Sequence, residues 1–290
     1  MKEAIRKADI LIEALPYIKA FRDRLVVIKL GGSALTDAGA LRGLLEDVIF
    51  MKTVGMRPIL VHGGGPHISE EMAKRGKEPK FVNGHRITDQ ETLDIVVDVL
   101  MNDVNKGILH ELEGLGDGGV NMWKNGHPPL KAEKYMGTDE GGNRIDLGCV
   151  GQLSSIEGKA FHRACREGKI PVIPPVARGR GGLLNVNADT VASFIAGSLR
   201  AEKLVFLSNT HGIMLDPSRE NSTVSSLSKT EVISLIERGV ITGGMLPTSW
   251  ACLRAMESGV KKAHIVDGRI PHSLLLEIFT DKGIGTQIVL

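Results

Sequence analysis

The sequence predicts an α/β fold, a three-layer αβα sandwich built around a mainly parallel central sheet. Short runs rich in Val, Ile and Leu alternate along the chain with longer amphipathic segments, which is typical of parallel strands joined by helices on both faces of a sheet. Several of these runs end in glycine clusters, which indicate tight turns at the strand ends. With 290 residues, of which 42% are hydrophobic, the chain is long enough for one large domain or two coupled lobes.

Residues 1–24 are predicted to form an amphipathic helix, because Ile5, Ala8, Ile12 and Leu15 recur at helical spacing between charged residues. Pro16 is expected to kink or end this helix. A helix that precedes the first strand has no evident core of its own. It packs either on its own chain or on another subunit, and the sequence leaves both arrangements open.

The remaining elements follow from hydrophobic periodicity and turn residues. Strands are predicted at residues 25–30, 57–62, 169–176, 204–207, 263–266 and 286–290. Helices are predicted at residues 41–54, 68–75, 88–112, 188–199, 229–238, 246–258 and 273–279. The region 114–148 is rich in Gly, Asn and Pro, so we expect hairpins and a mobile flap there.

Charge and cysteine content argue against several classes of protein. Lys and Arg total 36 against 34 Asp and Glu, a formal net charge of +2, so nothing electrostatic favours nucleic acid or a membrane surface as a partner. No segment approaches the roughly 20 apolar residues of a membrane span. Cys149, Cys165 and Cys252 form no CxxC pair, as expected of reduced thiols in a cytoplasmic protein. The histidines show no ligand spacing, so no protein-held metal site is predicted.

Lys29 is an unusual residue for its position, within an apolar strand that ends at Gly31 and Gly32. Burying a lysine among Val, Ile and Leu is costly. At the carboxyl end of a strand, however, its ammonium reaches the crevice in which α/β sheets bind ligands, and the two glycines would bring backbone N–H groups close to phosphate oxygens. The alternative is an edge-strand lysine in solvent.

Two further glycine turns precede predicted helices. Gly64 and Gly65 follow the strand at 57–62, and Gly243 and Gly244 precede the helix at 246–258. A strand, a glycine turn and a helix N-terminus together form an anion site. The pattern is neither the GxGxxG fingerprint nor a Walker motif, so plain turns remain the alternative.

Polar residues precede two of the predicted helices. Arg86 comes before the helix at 88–112, for which Thr88 is the expected N-cap with Glu91 as its capping-box partner. An arginine there offers a bidentate fork to a carboxylate, or forms a surface ion pair.

Asn185, Asn187 and Asp189 alternate in an extended segment and so face one side. Asp189 is suited to orient a lysine or assist a metal ion, and either Asn187 or Asp189 is suited to cap the helix that follows.

These motifs together resemble the acetylglutamate kinase family, which has the amino-acid kinase fold, and in particular its arginine-sensitive members. The matching stretches cover nearly the whole chain in the family's order and spacing: VVIKLGG, VHGGGP, FVNGHRITD, DLGCVG, NVNADT, TGGM and AHIVDGRIPHSLLLEIFTDKGIGT. The resemblance implies an N-terminal oligomerisation helix at 1–24, an acyl-amino-acid substrate lobe at 25–175 and a nucleotide-binding lobe at 176–290.

The resemblance also implies a reaction, the ATP-dependent phosphorylation of the side-chain carboxylate of N-acetylglutamate in arginine biosynthesis, with Mg²⁺ bound to the nucleotide. Lys29 would bind the transferring phosphoryl group, and Asp189 would orient Lys29. The implied substrate-binding residues are Gly64, Gly65, Arg86, Asn185 and Asn187. The implied nucleotide-binding residues are Gly31, Gly32, Ser208, Asn209, Gly243 and Gly244.

Similarity to the arginine-inhibited members implies arginine as an effector and a homo-oligomer, a dimer linked through the N-terminal helices into a hexamer. The implied effector residues are Tyr17, His264, Glu277, Gly283 and Gly285.

The chain departs from the family at two positions in the nucleotide region. Thr248 stands where the family has a second phosphate-binding lysine, and Asn209 stands where an aspartate is usual. The loop 121–129 also lacks the usual glycine-rich pattern. Losing one preorganised charge costs roughly 3 to 4 kcal/mol, which another cation could offset; Lys124, Arg178 and Arg180 are candidates. Three readings stay open: an active kinase, a catalytically impaired paralogue that binds ligands or regulates, and a kinase for another N-acylated acidic amino acid.

Overall fold

The structure is a computed structural model that describes residues 1–124, 126–138, 141–216, 218–219, 222–280 and 283–290, without the side chains of residues 3, 4, 7, 8, 11 and 33. The side chain of Ala8, part of the predicted loop 121–129 and part of the predicted flap 114–148 therefore lie outside the description. The helices are α1 (Lys2–Phe21), α2 (Gly32–Thr36), α3 (Ala38–Thr53), α4 (Gly65–Lys74), α5 (Gln90–Asp98), α6 (Lys106–Gly114), α7 (Gly158–Arg166), α8 (Ala188–Ser198), α9 (Lys229–Glu237), α10 (Met245–Glu257) and α11 (Ser273–Ile278).

The strands are β1 (Leu25–Leu30), β2 (Arg57–His62), β3 (Phe81–Val82), β4 (His85–Arg86), β5 (Gly119–Asn121), β6 (Leu130–Thr138), β7 (Arg144–Ile156), β8 (Ile170–Ile173), β9 (Val176–Gly179), β10 (Gly182–Asn185), β11 (Lys203–Ser208), β12 (Ser226–Ser228), β13 (Lys262–Asp267) and β14 (Thr286–Val289).

Within the described residues, eight strands form one central sheet in the order β12-β14-β13-β11-β1-β2-β8-β5. The pairs around β1 are parallel, and β13 with β14 is antiparallel. The sheet is therefore mainly parallel, and the predicted α/β class is confirmed. Strands from both sides of residue 175 share this sheet, while the division into a substrate lobe and a nucleotide lobe remains a prediction.

Alternate residues of the inner strands enter two separate cores, which explains why these strands read as continuous apolar runs. Val27 and Phe206 face one core, together with residues of α7, α8, α9 and α10. Val26 and Val205 face the other, together with residues of α3, α4, α5, α6 and α11. The molecule thus has three layers, as the sequence predicts.

A small second sheet lies beside the central one. Strands β6 and β7 form a long antiparallel hairpin, which joins β9 and β10 in a closed four-stranded barrel. The predicted strand at 169–176 is in fact two strands, β8 and β9, because Pro174 and Pro175 interrupt the ladder between them. A two-stranded hairpin, β3–β4, lies between α4 and α5.

We expected Pro16 to kink or end the N-terminal helix; the helix continues through Pro16, so this residue does not end it, and the kink stays a prediction. Tyr17, Ile18 and Phe21 pack on the second core, and this packing outweighs the intrahelical hydrogen bond that proline removes. The first half of α1 instead leaves Ile5, Ile10 and Ile12 between 54% and 68% exposed.

The helix predicted at 88–112 is also different in detail. Asp89, not Thr88, caps it, because the Asp89 carboxylate accepts from the Thr92 N–H, while the Thr88 hydroxyl donates to the Arg86 carbonyl. Between α5 and α6 the chain forms a seven-residue π-helical segment, Val99–Asn105. Across the described chain, no helix is both long enough and apolar enough to traverse a bilayer.

The end of β1 lies so close to β11 that it requires glycine. A Cβ at Gly31 would lie 2.3 Å from the Leu207 carbonyl oxygen, whereas a Cβ at Gly43, on α3, would meet no atom within 4 Å. We expect Gly31→Ala to lower the free energy of unfolding by about 1–3 kcal/mol through steric overlap. The control Gly43→Ala should raise it by about 0.5–1 kcal/mol, since alanine favours helix. Urea denaturation measures both, and equal effects would contradict the close approach of β1 to β11.

Candidate active site

An ion pair between Lys29 and Asp189 joins the end of β1 to the start of α8. The Lys29 Nζ lies 2.9 Å from Asp189 Oδ1, and both side chains are largely buried, at 17% and 9% exposure. This contact does not have the geometry of a hydrogen bond. It is an electrostatic attraction between opposite charges, in a place where burying an unpaired lysine would be costly.

Thr248, at the beginning of α10, completes the surroundings of Asp189. Its hydroxyl donates to Asp189 Oδ2 at 2.6 Å. The carboxylate thus contacts a cation through one oxygen and a neutral donor through the other. Gly243, with φ of +54°, makes the turn that brings α10 to this position.

Two cavities meet at this cluster. The first has a volume of about 280 Å³ and the second about 620 Å³. Both are lined by Lys29, Gly32, Pro66 and Asp189. A group that reaches from one cavity into the other therefore passes the Lys29 ammonium.

The structure brings most of the sequence-predicted binding residues to these cavities. The first cavity is also lined by Gly64, Gly65, Arg86, Asn185 and Asn187. The second is also lined by Gly31, Ser208, Asn209, Gly244 and Thr248. Gly243 is adjacent in sequence but is not among the lining residues.

Arg86 is a buried cation held by uncharged groups. Its guanidinium donates to the Gly65 carbonyl and the Ser69 hydroxyl at 3.2 and 2.9 Å, contacts the Met72 sulfur, and stacks on Phe81. Burial lowers the pKa of Arg86 from its ordinary value, and among the described residues no carboxylate raises it again. Arginine remains protonated nonetheless, so its charge is available to an anion in the first cavity.

The two asparagines have different roles in the local structure. Asn187 caps α8, because its side-chain oxygen accepts from the N–H groups of Asp189 and Thr190. Asn185 donates to the Thr88 hydroxyl at 3.2 Å. Asn187, Ala188 and Asp189 line the first cavity and Asp189 also lines the second, so the positive end of the α8 dipole lies at the cavities.

The glycine turn after β2 leads directly into α4. Gly64 precedes the helix and packs against Leu100, since a Cβ at Gly64 would lie 2.6 Å from Leu100 Cδ2. The first N–H groups of α4 lack intrahelical acceptors. This end of the helix is suited to bind an anion between the two cavities.

The three cations proposed as substitutes for the missing lysine do not line either cavity. Lys124 lines a separate cavity, Arg180 lines a groove beside α5, and Arg178 is exposed on β9. Because position 248 is a threonine, the Lys and Arg side chains that line the two cavities, among the described residues, are Lys29 and Arg86. The hydrogen bond from Thr248 to Asp189 could not be found from sequence, because the residues are 59 positions apart.

The residues implied for an effector lie elsewhere. His264 Nδ1 lies 2.6 Å from Glu277 Oε1, and the N–H groups of Ile284 and Gly285 donate to Glu277 Oε2. Burial lowers the pKa of His264, so the neutral ring donates to the carboxylate. Gly283 packs directly on Glu277.

Tyr17, also implied for an effector, is half-buried and packs on the second core. Within the described chain, no group of three or more His, Cys, Asp or Glu side chains is placed to hold a metal ion.

Comparison with known proteins shows which family the chain belongs to. Residues 24–267 match the amino acid kinase family. A protein of Methanothrix thermoacetophila named acetylglutamate kinase is 44% identical over 98% of this chain and 99% of its own length. One of Pelotomaculum thermopropionicum with the same name is 47% identical over 97% of each chain.

Two solved structures are also similar. N-acetylglutamate synthase from Neisseria gonorrhoeae, complexed with coenzyme A and N-acetyl-glutamate, is 28% identical with a TM-score of 0.86; the match covers 98% of this chain but 63% of that one. Carbamate kinase from Giardia lamblia bound to AMP-PNP shares the fold, with a TM-score of 0.63 at 14% identity over 92% of this chain. The family match and the full-length relatives show that the chain belongs to the amino acid kinase family.

Proposed function

We propose that the protein phosphorylates the side-chain carboxylate of N-acetylglutamate with ATP. One observation carries the proposal: two adjoining cavities share a lysine–aspartate pair, and one of them contains a buried arginine without a described carboxylate partner. Full-length relatives named acetylglutamate kinase support this choice of acceptor.

The first cavity suits an acylated acidic amino acid. At about 280 Å³ it is small for a nucleotide. Arg86 would bind the α-carboxylate, with the Asn185 amide beside it. The side-chain carboxylate would then extend toward Gly64, Gly65 and the Lys29 ammonium.

The second cavity suits the nucleotide. Gly31, Gly32 and Gly244 allow phosphate groups to approach the backbone closely, while Ser208 and Asn209 offer polar side chains at the end of β11. Its carboxylate, Asp189, already contacts Lys29 and Thr248. The residues therefore fit a Mg²⁺ ion that the phosphates hold and whose charge offsets theirs, rather than a protein-built metal cage.

Phosphoryl transfer between the cavities depends mainly on positioning and charge. The acceptor is already a carboxylate, so no strong base is needed to activate it. Lys29 would stabilise the negative charge on the transferring phosphoryl group. Asp189 holds the ammonium at the junction, and Thr248 together with the start of α8 holds Asp189.

The test is an assay of ADP release with N-acetylglutamate and other N-acylated acidic amino acids. We expect turnover, with the highest kcat/KM for N-acetylglutamate.

Lys29→Met should lower kcat by about a hundredfold or more. Arg86→Lys should raise KM for the acceptor about tenfold or more, because it loses a bidentate contact worth about 1.5–3 kcal/mol.

Lys131→Met, on the exposed side of β6, is the control and should retain wild-type kinetics. Equal kinetics in Lys29→Met and wild type would contradict the proposed role of Lys29. A clear preference for another N-acylated acid would replace N-acetylglutamate as the substrate.

Thr248 gives a second prediction. Thr248→Val keeps the shape but removes the donor to Asp189, which leaves a buried carboxylate oxygen unpaired at a cost of about 1–3 kcal/mol. We expect kcat to fall about tenfold, while Thr53→Val, at an exposed hydroxyl on α3, leaves it unchanged. A wild-type protein without turnover that gains it in Thr248→Lys would instead identify an impaired paralogue.

We further propose that arginine regulates the enzyme, which would act in cytoplasmic arginine biosynthesis. The buried His264–Glu277 pair and the loop of Gly283 and Gly285 offer a carboxylate to a guanidinium. The exposed apolar residues of the first half of α1 would link dimers into a hexamer, and Tyr17 lies farther along the same helix.

Arginine should therefore inhibit ADP release in the wild type. Glu277→Gln should raise the half-inhibiting concentration at least tenfold, since it removes the charge that pairs with the guanidinium, and the exposed Glu237→Gln should not. Light scattering on the same samples measures the oligomer. A monomer at micromolar concentration, or inhibition that is unchanged in Glu277→Gln, would contradict this proposal.

A further inference from the structure

His62 is a fully buried histidine at the end of β2, directly before the glycine turn. Its Nδ1 lies 2.9 Å from the Gly63 carbonyl oxygen, and its Nε2 lies 3.1 Å from the side-chain nitrogen of Asn105. Because a carbonyl only accepts, Nδ1 carries the proton, and Nε2 must accept from Asn105. Burial lowers the pKa of His62 to about 4, so the ring is neutral near pH 7.

These contacts fix the peptide that joins Gly63 to Gly64. In a trans peptide the carbonyl and the following N–H point in opposite directions. While the His62 ring holds the Gly63 carbonyl on the buried side, the Gly64 N–H points the other way. Gly63 and Gly64 both line the first cavity, whereas His62 does not. The Gly63 N–H is fixed as well, by the carbonyl oxygen of Leu30 at 3.0 Å.

The π-helical segment Val99–Asn105 supports the same turn from behind. It supplies both Asn105, which donates to His62, and Leu100, which packs against Gly64. Segments of π-helix are rare in proteins, and those that occur are often found at functional sites.

We propose that His62 and Asn105 are positioning residues that hold the Gly63–Gly64 peptide with its N–H directed at the transferring phosphoryl group. The proposal rests on the phosphoryl transfer proposed above. Without the pair the peptide is free to turn, and a carbonyl dipole would then face the phosphoryl oxygens where an N–H should be. Such a change weakens the transition state more than the binding of either substrate.

The test compares His62→Leu, which loses both hydrogen bonds, with His62→Asn, whose side-chain nitrogen can take the place of Nδ1. We expect His62→Leu to lower kcat about a hundredfold with KM values within threefold of wild type. His62→Asn should recover kcat to within about tenfold. The control Val232→Ala removes buried methyl groups from α9, in the other core, and should lower the melting temperature without lowering kcat.

Two readouts separate positioning from a general loss of stability or from acid–base catalysis. A crystal structure of His62→Leu should show the Gly63–Gly64 peptide turned, and the pH profile of His62→Asn from pH 6 to 9 should follow that of the wild type. An unturned peptide in His62→Leu, or a kcat within threefold of wild type, overturns the proposal. If His62→Leu does not fold, Asn105→Leu undergoes the same measurements with the same criteria. A wild-type protein without turnover refutes the proposed function, while the orientation of the peptide still decides this inference.

Discussion

The contact between Lys29 and Asp189 is the interaction on which the site depends. A buried ammonium and a buried carboxylate are each costly alone, and removing one leaves the other uncompensated. The pair ties the last residues of β1 to the first turn of α8, at the edge of the sheet where parallel strands end. The Thr248 hydroxyl restrains the other carboxylate oxygen, and the Asn187 cap fixes the start of the helix that carries Asp189. This contact holds the Lys29 ammonium where the two cavities meet.

The surroundings of this pair explain why the site has two halves. The carboxyl ends of β1 and β2 each continue into a glycine turn and a helix start, so backbone N–H groups approach the junction from two sides. Gly31 allows β1 and β11 to approach closely, and Gly64 allows the turn to lie against Leu100. Arg86, held by Ser69, adds a positive charge to the lining of the smaller cavity. The result is a positively polarised path from one cavity to the other.

Much of this could be predicted from the sequence, because the signals are local. The apolar runs predicted the inner strands, and the glycines that follow them indicated the turns. The NVNADT stretch predicted Asn187 or Asp189 as a helix cap, and the structure shows Asn187 in that role. The predicted cap of α5 was wrong because Thr88 and Asp89 are both good capping residues. The hydrogen bond of Thr88 with Asn185, a tertiary contact, distinguishes the two, and Asp89 is the cap. Pro16 does not end α1, because packing of Tyr17 and Phe21 outweighs a local preference.

The sequence could not show contacts between distant segments, such as Thr248 with Asp189 and His62 with Asn105. Nor could it show that Arg180 lines a groove other than the two cavities. The central claim is that Lys29 lies between donor and acceptor. A crystal structure with N-acetylglutamate and a non-hydrolysable ATP analogue tests this most directly. The account predicts the Lys29 ammonium within hydrogen-bonding distance of the terminal phosphate, the acceptor carboxylate in line with it, and Arg86 on the α-carboxylate. Ligands bound away from Lys29, or both within one cavity, would contradict it.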